Sequence, residues 1–99
     1  MQNANVRSKK DEIIQLLLNK DREGIKLLSD QYSNYLLGFI NRCIKQEEAS
    51  ILILEKTFSR IKCNINKFDK KSEVFLRWIA RIALEESIEY VKIKRGFYN

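Results

Sequence analysis

Lys67, Lys70 and Lys71 lie in a polar stretch with one aromatic residue, Phe68, and lead into Arg77, Trp78 and Arg81. Lys92, Lys94 and Arg95 close the same segment. Cations in such a run hold phosphates by releasing counterions, and an aromatic ring among them can stack on an unpaired base. The chemistry on offer is the binding of a polyanion. The same residues also suit a solvated helix face with its tryptophan in a core.

A catalytic set is harder to assemble. Histidine is absent, which removes imidazole bases, histidine triads and the commonest metal ligand. The carboxylates come as neighbours, Glu47-Glu48 and Glu85-Glu86, with nothing to set two of them across a pocket. Gly24, Gly38 and Gly96 are the only glycines and form no phosphate-binding loop. Cys43 and Cys63 have neither a CxxC spacing nor an adjacent base, and read as reduced, partly buried thiols. The expectation is a binding module and not an enzyme, with no cofactor and no metal.

The elements that position these residues follow from composition and period. The chain has 99 residues, enough for one domain. Proline is absent and hydrophobic residues make up 44%, which favours long helices over a turn-rich β fold. Nineteen Lys+Arg against 13 Asp+Glu give a net charge of +6, suited to an anionic partner. The polar N-terminus is no signal peptide, and the longest apolar run, Ile51 to Leu54, is too short for a membrane span. A cytoplasmic protein without membrane contact is expected.

The reading is all-α: a compact bundle of about four helices over residues 10–96, with 1–9 a flexible N-terminus and 97–99 a tail. Ser8 is the expected N-cap of a first helix, Lys10 to Leu18, and Asp21 caps a second, Glu23 to Ile44. Gly38 inside the second helix is expected to admit a close neighbour. A third helix ends near Ile65, with Ile51, Leu54, Phe58, Ile61 and Ile65 on its inner stripe. After a basic loop, Ser72 is the expected N-cap of a fourth helix that stops at Gly96. There Phe75, Ile79, Ile82, Ala83, Tyr90 and Ile93 face inward, and Arg77, Arg81, Ile88, Lys92 and Arg95 outward. Trp78 falls on the border, and Glu86 points to the core side without an evident partner.

From Asp21 to Arg95 the chain resembles region 2 of bacterial RNA polymerase sigma factors, especially the extracytoplasmic-function class. Lys20-Asp-Arg-Glu-Gly-Ile25 is similar to the opening of that region, and Glu55-Lys-Thr-Phe58 to its Gln-(Glu/Asp)-x-Phe motif. Lys67-Phe68-Asp69 and Phe75-Leu-Arg-Trp78-Ile-Ala-Arg81-Ile-Ala83 resemble its Phe-Asp loop and its Phe-x-x-Trp-Leu-x-Arg-Ile-Ala signature. The last match is the specific one.

The resemblance implies a transcription-initiation module that binds RNA polymerase core and opens the −10 element of promoter DNA. It implies that Asn66, Lys67, Phe68, Asp69, Lys70 and Lys71 form a loop that captures a flipped base of the non-template strand. Trp78 and Arg81 would support that loop or contact DNA, with Arg77 beside them, and Lys92, Lys94 and Arg95 would hold backbone phosphates. The polymerase-facing surface would comprise Leu52, Glu55, Lys56 and Ser59. The pattern departs from the family in four places. Ile51 and Leu52 stand where the family has an acidic pair, Glu55 replaces its glutamine, Lys56 the acid that follows, and Glu85 its asparagine. No region 4 follows before Asn99, so a separate chain is expected to supply it. Two other readings stay open. One is a degenerate relative acting as a protein-interaction module, with Leu52 and Ile53 as its landing site; the other is a helical protein binding nucleic acid nonspecifically.

Overall fold

The computed structural model describes residues 8–96. Among them it shows four α-helices and no strand: α1 (Lys9–Leu18), α2 (Arg22–Cys43), α3 (Glu47–Asn64) and α4 (Phe75–Lys94). A 3₁₀ turn, Ile65–Lys67, follows α3 directly. The protein is an all-α bundle. Ser8 caps α1 and Lys9 opens it, one residue before the expected start at Lys10; residues 1–7 of the expected N-terminal segment and the tail, 97–99, lie outside the described residues.

Local chemistry sets the helix ends. The Asp11 N–H donates to Ser8 Oγ at 3.1 Å, and the Glu23 N–H to Asp21 Oδ1 at 2.9 Å, each satisfying a donor that the helix leaves open. Lys20, at φ 59°, turns the chain out of α1, while the Asp21 N–H reaches back to the Leu16 carbonyl at 2.9 Å. Gly96, at φ 79°, does the same after α4, in a conformation glycine adopts without penalty.

The core unites Ile13, Ile14 and Leu17 of α1 with Leu28, Leu36 and Ile40 of α2, Ile53 and Ile61 of α3, and Phe75, Ile79, Ile82 and Ala83 of α4. Each fully buried large side chain contributes about 1.5–3 kcal/mol relative to exposure. Helix α2 packs on the other three, and α3 lies along α4.

The structure departs from the expectations at six points. Gly38 is exposed with open space around it, whereas a Cβ on Gly24 would stand 3.0 Å from the Leu17 nitrogen; the close approach is at the α1–α2 corner. The inner stripe of α3 runs through Ile53 (1% exposed), Thr57 and Ile61, and Ile51 is 45% exposed. Ile53 therefore belongs to the core and is no landing site, because α3 turns that face toward the bundle. Ile93 is exposed and so is each residue beside it from Lys92 to Arg95, so this end of α4 buries no inner stripe. Cys43 and Cys63 are free and exposed, not partly buried. Finally, Ser72 does not cap α4: the cap position is Val74, without a side-chain bond, and Ser72 Oγ donates instead to Asp69 Oδ2 at 3.1 Å.

Candidate nucleic-acid interface

The loop between α3 and α4 is tethered by its aromatic residue. Phe68 packs edge-on against Phe75 with ring centroids 5.3 Å apart, and lies 5.2 Å from Trp78. Tyr32 of α2 meets the same Phe75 ring at 5.7 Å. Such pairs contribute about 0.5–1.5 kcal/mol each beyond the area they bury. Burial also pushes the Tyr32 phenol pKa above its usual value. Beyond Phe68 the chain turns on Asp69, whose Oδ1 accepts the Lys71 N–H at 3.0 Å. The result is a fixed turn presenting Asn66, Lys67, Asp69, Lys70 and Lys71 to solvent, with Phe68 half-buried beneath.

Helix α4 begins where this turn ends. Arg77 and Arg81, one turn apart, are exposed. With Lys70, Lys71, Ser72 and Glu73 they line an open cleft of about 460 Å³. Arg81 is not free in it: its Nη1 lies 2.6 Å from Glu73 Oε2. On the other side of the loop, Ile14, Leu18, Ile65 and Phe68 wall a cavity of about 400 Å³, with Asp11, Gln15, Asp69, Lys70 and Lys71 around it. The participation of α1 here has no signal in the sequence, since α1 and the loop are brought together only by the packing.

Trp78 is 5% exposed and stacks on Phe75 with centroids 6.1 Å apart. Its ring offers no open face to a base. Its work in this arrangement is to hold Phe68, and through Phe68 the loop. Lys92, Lys94 and Arg95 are exposed, but at 1.5 Å per residue they sit about 22 Å or more along the helix from Arg77. Between the two cationic groups the outer face carries exposed Leu84 and Ile88. The fold joins the loop with Arg77 and Arg81, and sets the C-terminal cations apart.

Leu52, Glu55, Lys56 and Ser59 do share one surface. With Arg60, Cys63 and Glu86 they line a shallow groove of about 490 Å³ between α3 and α4. Arg60 is the residue that sequence reasoning missed. Its Nη1 donates to Glu86 Oε2 at 3.2 Å and its Nη2 to Glu85 Oε1, which gives Glu86 the partner it lacked. Burial works against the Arg60 charge, but the bonds to Glu85 and Glu86 outweigh it and raise its pKa above the usual guanidinium value. Nothing local could announce a pairing between residues 25 positions apart. Among the described residues no group of three His, Cys, Asp or Glu side chains could hold a metal, and no helix is long and apolar enough to cross a membrane.

No known family model matches the chain, and no curated protein matches it significantly.

Proposed function

We propose that the chain is a transcription-initiation module of the sigma region 2 kind, which holds an unpaired strand of promoter DNA and docks on RNA polymerase core. The observation that carries this reading is the pair of hollows flanking the loop. The cavity under Phe68 is walled by apolar side chains and rimmed by polar ones, as suits an unstacked base. The adjoining cleft presents Lys70, Lys71, Arg77 and Arg81, as suits the phosphates on either side of that base. Duplex DNA would use the cations but leave the cavity empty, so a single strand gains more. In this reading Lys92, Lys94 and Arg95 hold the backbone further along, and a separate region 4-like chain reads the rest of the promoter.

The test compares fluorescence anisotropy of a labelled single strand carrying an AT-rich −10-like sequence with that of its duplex. Tighter binding of the single strand is expected, with further tightening when polymerase core is added. Equal affinity for both forms, or no binding, would remove the reading.

A second reading, the protein-interaction module, has one observation in its favour. The α3–α4 groove gathers all four expected contact residues, with exposed Leu52 among them. On this reading the captured protein is not polymerase core, and Leu52→Asp should weaken its pull-down while leaving folding unchanged; capture of polymerase subunits would return the groove to the first reading. Loss of folding instead would show that Leu52 supports the core.

A further inference from the structure

Arg60 stands on the ridge between two hollows. It lines the groove of about 490 Å³ with Glu86, and also a smaller cleft of about 270 Å³ with Asn64, Lys67, Trp78, Arg81, Ile82 and Glu85. Its two terminal nitrogens divide between the two carboxylates, Nη1 to Glu86 and Nη2 to Glu85. The glutamates differ in setting. The Glu86 side chain is 20% exposed and lies on the groove side, while that of Glu85 is 46% exposed and shares its cleft with Lys67 and Arg81. Both bonds tie α3 to α4, the Glu86 bond on the groove side. The Glu85 bond also occupies an acid that stands among the cations of the loop and α4. Released, that carboxylate would repel phosphate and compete for Lys67 and Arg81.

We propose, resting on the nucleic-acid reading of this face, that Arg60 is a positioning residue that holds the Glu85 carboxylate away from Lys67 and Arg81 and so keeps the cleft open to a polyanion. The carboxylate is neutralised where it stands and Lys67 beside it stays available, while Arg81 keeps Glu73 as its carboxylate partner.

The experiment uses the full chain and a short fluorescein-labelled single-stranded DNA at low salt. Arg60→Ala should weaken binding by about tenfold, because it removes one cation and unmasks one acid. Adding Glu85→Gln should restore affinity to within about twofold of the parent. Adding Glu86→Gln instead leaves the same net charge and should not restore it. A purely structural bridge would show no such rescue, and a net-charge effect would show equal rescue by both second substitutions; either result overturns the proposal. Unchanged affinity in Arg60→Ala overturns it too, with the nucleic-acid reading intact. Failure of the parent chain to bind overturns both. If Arg60→Ala does not fold, Arg60→Met keeps the packing of the stem and carries the same comparison.

Discussion

At the scale of single residues, the cations of the candidate interface are governed by the acids next to them. Arg81 is held by Glu73 at 2.6 Å in the cleft where a phosphate would sit, so binding must first exchange one anion for another. Glu73→Gln removes that competition, and is expected to tighten single-strand binding by about two- to fivefold at low salt, with the gain fading as salt screens both pairs. Anisotropy titrations at two ionic strengths check this; an unchanged affinity would mean that Arg81 takes no part. Trp78 makes a second prediction, since it is the chain's one tryptophan and lies against Phe68 and Phe75. Its fluorescence should resist acrylamide in the folded protein and, on the proposed reading, remain unquenched by a bound strand, because the ring is 5% exposed against Phe68 and Phe75. Strong quenching by DNA would place a base on the indole and displace Phe68 from its seat.

Among the elements, what could be read in the sequence was what is decided within one turn of the chain. Ser8 and Asp21 cap α1 and α2 because their side chains reach donors two or three residues away, and Gly96 stops α4 by its own backbone freedom. What eluded the sequence depends on neighbours far along it. Ile51-Leu-Ile-Leu54 covers most of a helix circumference, so the phase of α3 is set only when Ile53 meets the core. Thr57 hides in that stripe by donating its hydroxyl to the Ile53 carbonyl at 2.8 Å, a polar residue behaving as an apolar one. Ser72 looks like a cap but is taken by Asp69. Of the interface, the loop cations and Arg77 were legible as a charge run; the Arg60 clamp and the α1 wall of the cavity were not. The glycines turn this contrast into a stability prediction. Gly38→Ala places a methyl in open space on an exposed helix interior and should stabilise by about 0.5–1 kcal/mol. Gly24→Ala forces a Cβ to 3.0 Å from the Leu17 backbone nitrogen, where no side chain can move aside, and should cost about 1–3 kcal/mol. Urea denaturation of both variants decides it, and a stabilised Gly24→Ala would show that the α1–α2 corner gives way.

For the molecule as a whole, the arrangement of its positive charge matters more than the total of +6. Lys67, Lys70, Lys71, Arg77 and Arg81 gather at the loop end of α4, while Lys92, Lys94 and Arg95 lie about 22 Å or more along the helix from Arg77, beyond the apolar pair Leu84 and Ile88. A strand short enough to fill only the loop end should release counterions there alone. Each phosphate neutralised on a single strand adds about 0.7 to the slope of log affinity against log salt. Replacing Lys67, Lys70 and Lys71 with Ala should therefore flatten that slope by about 2 for a short strand. Replacing Lys92, Lys94 and Arg95 should leave the short strand's slope unchanged and flatten it only for a strand long enough to reach past Ile88. A nonspecific polycation predicts otherwise, because there the two triple variants, equal in charge, would be equal in effect at every length. The length at which the second variant begins to matter thus measures the path of the strand along α4. If it never matters, the bound strand leaves the helix before Leu84, and the C-terminal cations serve something other than DNA.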